Sequence, residues 1–207
     1  KTRPGYVGPP YPGMEHRIDP DTGEVQCRSP GTMLGYYKEP EKTAEALTRD
    51  GWLKTGDKGQ IDKADDSLKI TGRVKDLFKP SKGKYVAPAP IEDKLVTHPK
   101  VEACCVAGAN QGQPCALIML SADAMKDAQD AERRDALAKS LEEHLEKINA
   151  MLDPHEQMDF IAVMKDAWTV EKGFVTPTMK VKRNVIESTY GGLLDGWYAR
   201  KEAVVWQ

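Results

Sequence analysis

Leu137, Leu141, Leu145, Ile148 and Leu152 recur at three- and four-residue steps through DAERRDALAKSLEEHLEKINAML, residues 130–152. That spacing places them on one stripe of an α-helix, with charged residues filling the other faces. Around this helix the pattern changes to unbroken apolar runs. VEACCVAGA, PCALIMLS and MDFIAVM read as buried strands, since a strand covered on both faces loses its polar alternation. PIEDKLVTHP opens another helix, and a last one is predicted from about Arg183 to Thr189. The tail DGWYARKEAVVWQ takes no firm element. Strands alternating with helices from about residue 90 onward predict a small α/β unit.

The first part of the chain has a different texture. EHRID and GEVQCRS flank the turn DPDTG and read as a hairpin. EPEKTAEAL, with Pro40 and acidic residues at its start, reads as a short helix. KGQID and SLKITGR form a second hairpin across KADD. The Lys-, Gly- and Pro-rich run between residues 75 and 90 cannot be one regular element, so a boundary falls there. The expected fold class is α+β: a small β-rich subdomain followed by a compact α/β domain.

Composition narrows the function classes. With 207 residues, 40% hydrophobic and 30% charged, the chain can bury a core. A net charge of −2 supplies no long-range attraction for a polyanion, so no nucleic-acid partner is expected. No apolar run approaches the ~20 residues of a membrane span. The N-terminus KTRPGYVGPPYPG has no apolar core of a secretory signal, and it lacks an initiator Met, so the chain is expected to be part of something longer. Cys27, Cys104, Cys105 and Cys115 show no CxxC spacing, and Cys104 and Cys105 sit inside a buried strand. No metal ligands are expected, and a reducing cytoplasmic location is, with peripheral contact with a membrane left open. His16, His98, His144 and His155 are scattered and read as surface or cap residues.

Three stretches carry candidate chemistry: DGWLKTGD, ITGRVKDLFKPSKGKYV and GFVTPTMKVKR. Asp57, at a strand end between glycines, can accept hydrogen bonds from a vicinal diol such as ribose. Such charge-assisted bonds are worth about 1.5–3 kcal/mol each. It reads equally as a turn residue. Arg73 offers a planar donor fork for a hydroxyl or phosphate, or a surface ion pair with Asp76. Lys180, in a Thr-Pro-Thr turn, places a mobile ammonium where it can reach an acidic oxygen, although KVKR also suits a solvated helix end.

Taken together, GWLKTGD, GRVKDLFK and TPTMKVKR resemble the adenylate-forming superfamily, and most closely its long-chain fatty acyl-CoA ligases. The likeness spans nearly the whole chain. It implies that residues 1–74 form the last β-rich subdomain of the AMP-binding N-terminal domain and residues 75–207 the C-terminal lid domain. By resemblance, Asp57 and Arg73 are nucleotide-binding residues, Lys75 is the hinge, and Ser81, Lys82 and Gly83 line the coenzyme A channel. Lys180 matches the catalytic lysine. The family usually has Gly before it where this chain has Met179, and Lys182 competes for the role. The implied reaction activates a fatty acid or related carboxylate with ATP and Mg2+ as acyl-AMP and transfers it to coenzyme A.

The superfamily's phosphate-cradling loop and adenine-binding segment have no counterpart in these residues. The rest of the N-terminal domain is therefore an implied partner, the magnesium ligands lie elsewhere, and the chain alone is expected to be inactive. Two other readings stand beside this one. One is an adenylation domain that delivers acyl groups to a carrier protein. The other is a non-catalytic module binding RNA or membrane through KPSKGK and KVKR.

Overall fold

The structure, a computed structural model, describes residue 3, residues 5–81 and residues 84–207. It divides into two units, Lys1–Leu77 and Phe78–Gln207.

In the first unit, β1 (Glu15–Ile18), β2 (Glu24–Arg28), β3 (Leu53–Asp62) and β4 (Ser67–Arg73) form one antiparallel sheet in chain order. Both predicted hairpins are present. The helix α1 (Pro40–Ala46) starts at the proline that is spared the need for an N–H donor in the first turn. Trp52, the residue before β3, is buried with two guanidinium groups over its ring, Arg17 at 4.3 Å and Arg28 at 4.6 Å from the ring centroid. Those arginines are themselves held, Arg17 by Asp50 and Arg28 by Glu15. The stacked cations cover the indole on the open face of a sheet too small to bury it alone.

The second unit contains α2 (Pro88–Leu95), β5 (Val101–Ala107), β6 (Cys115–Leu120), α3 (Ala122–Asp127), α4 (Ala131–Asn149), β7 (Ile161–Val163), α5 (Arg183–Tyr190), α6 (Leu194–Arg200) and β8 (Val204–Trp206). The sheet order is β5-β6-β7-β8, with β5 antiparallel to β6 and the other pairs parallel. Side chains alternate between its two faces. Cys104, Val106, Ala116 and Ile118 join α2 and α4 in one core, with Leu141 and Ile148 of α4 at most 1% exposed. Cys105, Ala107, Cys115 and Leu117 join α5, α6, Trp168 and Phe174 in a second. Two cores on one sheet explain the unbroken apolar runs. They also separate the adjacent cysteines, because Cys104 and Cys105 point to opposite faces. Burial pushes the Cys105 and Cys115 thiols up to about 12, so they behave as small core hydrophobes.

The tail without a sequence assignment supplies α6 and β8, and β8 pairs with β7 through Ile161↔Val204 to Val163↔Trp206. The short helix α3, capped by the Ser121 side chain accepting from the Ala124 N–H, also had no predicted counterpart. No helix among the described residues is long and apolar enough to cross a membrane.

His98 corrects the surface reading of the histidines. It is 6% exposed, its ring 5.1 Å from that of His144 and edge-on to it. The Lys100 N–H donates to His98 Nδ1, which leaves Nε2–H to donate to Ser140 Oγ at 3.1 Å. That arrangement requires a neutral ring. Burial first, then the nearby His144 and Lys100, hold its pKa below the usual histidine value. The folded state therefore resists a proton that the unfolded chain takes up near pH 6.5. The contribution is complete above that pH and is lost as pH falls below it. Stability should therefore decline as pH falls through the range just below about 6.5, where the unfolded chain protonates and the folded ring does not. Denaturant midpoints of His98→Gln should show a shallower decline over that interval; identical slopes would assign the acid sensitivity elsewhere.

Candidate functional site

In the first unit the decisive geometry is a cross-strand pair. Asp57 lies within β3 directly opposite Arg73 of β4, and Arg73 Nε donates to Asp57 Oδ1 at 2.9 Å. Asp57 is thus inside a long strand and not at its end, and the partner of Arg73 is Asp57 and not Asp76. The strand is irregular on both sides of the aspartate. Its registers shift between Glu24 and Gln26 on β2 and between Lys58 and Gly59 on the β4 side. Such bulges re-aim side chains without ending the sheet. Gly56 supplies a φ of +76°, and its N–H is held by Glu24 Oε1 at 2.8 Å. A Cβ on Gly59 would stand 2.6 Å from Val25 Cγ2 and 2.9 Å from the Lys69 carbonyl oxygen. The two glycines around Asp57 thus answer to backbone twist and close packing, and the side chains are left facing outward. Asp57 is 29% and Arg73 62% exposed. The second carboxylate oxygen of Asp57 makes no hydrogen bond among the described residues.

Lys75 sits in a one-turn 3₁₀ helix, Val74–Asp76, that follows β4 directly, and its side chain is exposed. The segment after it folds back on itself. Phe78 and Val86 form an antiparallel bridge, with N–H···O bonds of 3.3 and 2.9 Å. Within that closure the Ser81 N–H donates to the Gln111 carbonyl at 2.7 Å, and the Asn110 N–H to the Lys79 carbonyl at 3.0 Å. Ser81 is exposed. Lys82 and Gly83, the other residues expected in this loop, lie outside the described residues.

Lys180 lies on the returning arm of a loop that is fastened at its base. Val175 and Val181 bridge, the Thr176 N–H donates to the Lys180 carbonyl at 2.8 Å, and Thr176 Oγ1 accepts from the Lys180 N–H at 3.1 Å. Met179 takes a φ of +61°. The left-handed turn suits glycine, and a side chain there costs about 1 kcal/mol. Lys180 is exposed and has no carboxylate partner among the described residues. Lys182 differs: it is half-buried at the N-cap of α5, and its N–H donates to the Phe174 carbonyl at 2.8 Å. Of the two side chains, that of Lys180 is the more exposed.

Residues 75–202 match the family model described as the AMP-binding enzyme C-terminal domain. The chain belongs to that family. It is 32% identical over 209 residues to the long-chain-fatty-acid–CoA ligase FadD15 of Mycobacterium tuberculosis, covering 95% of this chain and 34% of that protein. It is 34% identical over 208 residues to the putative fatty-acid–CoA ligase fadD11 of the same species, covering 95% and 36%. Among solved structures, the A domain of a carboxylic acid reductase from Segniliparus rugosus, in complex with AMP and a co-purified carboxylic acid, matches with a TM-score of 0.76 and 27% identity, over 94% of this chain and 32% of that one. The chain thus spans about a third of the length of the curated relatives it matches.

Two sets of residues in this AMP-binding C-terminal domain support the loops and went unmarked in the sequence. The β5–β6 turn that receives Ser81 is held from α6: Gln111 Nε2 donates to Asp195 Oδ1 at 2.8 Å, and Tyr198 Oη donates to the Gln113 carbonyl at 2.6 Å. These partners stand 84 and 85 positions apart in the chain, beyond any local pattern. The second set is Glu92 and Arg183. Arg183 was readable only as part of the basic run KVKR, yet it is paired with Glu92 and mostly covered.

Proposed function

We propose that the chain is the C-terminal portion of an AMP-forming acyl-CoA ligase acting on fatty acids. The observation that carries this reading is an exposed Lys180, with no carboxylate partner among the described residues, on a backbone-fastened loop in a chain of the AMP-binding family. In the first half-reaction a carboxylate oxygen attacks the α-phosphorus of ATP, the bond to the β,γ-diphosphate breaks, and acyl-AMP and pyrophosphate form. Lys180 places positive charge against the oxygens where negative charge builds in that transition state. Asp57 accepts from the ribose hydroxyls through the oxygen that Arg73 does not engage, and Arg73 keeps the carboxylate aimed. In the second half-reaction the coenzyme A thiolate attacks the acyl carbonyl and AMP leaves. Lys75 serves as the pivot between the two arrangements, and the loop of Ser81, Lys82 and Gly83 lines the thiol's approach. ATP and coenzyme A are substrates here. No step is assigned to magnesium in these residues.

Delivery to a carrier protein is the second reading. It draws on the likeness to a long-chain-fatty-acid–[acyl-carrier-protein] ligase, AEE15 of Arabidopsis thaliana, at 27% identity over 94% of this chain. The basic-module reading loses ground, because Arg183 of KVKR is committed to Glu92.

The test is pyrophosphate release over a panel of short, long and aromatic carboxylates, from the 207-residue chain and from the full-length protein containing it. Turnover by the full-length protein alone, with a fatty acid preferred and coenzyme A consumed, is the expected result. Thioester formed only on an added carrier protein would favour the second reading. In the same protein, Asp57→Ala should raise the Kd for AMP by at least tenfold, the loss of one charge-assisted hydrogen bond of about 1.5–3 kcal/mol.

A further inference from the structure

The geometry points to Glu92 and Arg183 as a positioning pair that holds the Lys180 loop in register with the edge of the second sheet. This inference rests on the role proposed for Lys180. β5 is an edge strand, bonded to β6 on one side only. At Val106 the outward N–H and C=O have no neighbouring strand, and the two side chains take the strand's place. Glu92 Oε1 accepts from the Val106 N–H at 2.7 Å, and Arg183 Nη1 donates to the Val106 carbonyl at 2.6 Å. Arg183 Nη2 then closes the ring on Glu92 Oε1 at 2.5 Å. The guanidinium and carboxylate are 17% and 19% exposed, so water competes little for either. The guanidinium donates to the carbonyl from Nη1 and to the carboxylate from Nη2, a fixed two-nitrogen spacing that the single nitrogen of an ammonium does not reproduce.

What this fixes is the path of the chain on either side of the candidate active site. Arg183 is the first residue of α5 and lies just after the Val175–Val181 bridge that closes the Lys180 loop. The bridge sets the loop's shape, and the Arg183 fork sets where that loop sits relative to β5. Glu92 lies on α2, which begins directly after the segment closed by Phe78 and Val86. One ion pair therefore references the helices behind both functional loops to a single peptide, Val106. A lysine acting on a phosphoryl oxygen must be placed within a fraction of an ångström, and small displacements by distant substitutions cost large factors in rate.

The experiment uses the full-length protein and reads adenylation by ATP–pyrophosphate exchange, in Lys180→Ala, Arg183→Lys, Glu92→Gln and the two doubles that combine Lys180→Ala with each of the others. Arg183→Lys keeps the charge and Glu92→Gln keeps an acceptor for Val106, so both should fold. Each single substitution should lower kcat at least tenfold with KM for ATP within twofold. On a Lys180→Ala background each should cost less than twofold more, because a positioning residue has nothing left to position. A merely structural role would lower activity by the same factor in both backgrounds, and that result would overturn the inference, as would single variants within twofold of wild type. If Lys180→Ala itself adenylates normally, the role of Lys180 falls and the pair's role with it. Failure of the pair alone looks different: Lys180→Ala is crippled while Arg183→Lys and Glu92→Gln are not.

Discussion

Lys180→Ala in the full-length protein should reduce acyl-AMP formation on the order of 10²–10³-fold, the typical loss for one well-placed charge-stabilising donor. The same variant, supplied with synthetic acyl-AMP, should form thioester at close to the wild-type rate, since that step develops no charge at the α-phosphate. The structure sharpens the contrast with Lys182. Lys180 presents an exposed ammonium from a loop whose backbone is internally bonded, so truncation removes the charge and leaves the loop. Lys182 has a half-buried side chain, and its structural bond to Phe174 is made by its backbone N–H, which survives truncation. Lys182→Ala should therefore change adenylation by less than tenfold. Assaying both half-reactions in both variants decides the matter. Equal damage to the two half-reactions in Lys180→Ala would remove it from the adenylation step, and a larger loss in Lys182→Ala would transfer the role.

The largest stability effect is expected from Leu141→Ala, which should cost about 2–5 kcal/mol. Leu141 is fully buried on α4, between Leu137 and Leu145 and over a sheet face made by Val106, Ile118 and Ile161. Such interiors are packed as densely as organic crystals, so the lost methyl groups leave a cavity that neighbouring helices fill only in part. The loss should appear in the second unit. Trp168 and Trp197 are buried there, whereas Trp52 lies in the first. Denaturant unfolding followed by fluorescence of variants retaining either Trp52 or the second-unit tryptophans would separate the two. An unchanged midpoint for the second-unit signal would show that α4 is not integral to that core.

A stripe such as Leu137 to Ile148, or an unbroken run such as VEACCVAGA, announces its element because helix and strand periodicities are local properties of the backbone. Both hairpins of the first unit were legible for the same reason, through their turn residues. So was the family, through three motifs in a fixed order along the chain. α6 and β8 were not legible. DGWYARKEAVVWQ has too few periodic positions to choose a state, and β8 exists only because β7 offers an open edge parallel to it. His98 read as a surface residue because nothing in its neighbours shows that Ser140 and His144 close over it.

The candidate site divides in the same way. Asp57, Arg73 and Lys180 could be named as candidates from the sequence because they fall within the three motifs that carry the family resemblance. Their geometry could not: the Asp57–Arg73 contact depends on a β3–β4 register that includes a bulge. Arg183 is the clearest case. In the sequence it is one cation among several, and its meaning comes from an acid 91 positions away and a peptide with no strand on its outer side. Local order and residue chemistry were written in the sequence by itself. Which charge meets which partner was decided by tertiary structure alone, because a carboxylate and a guanidinium in water are solvated and indifferent, and only burial at a sheet edge makes their pairing specific.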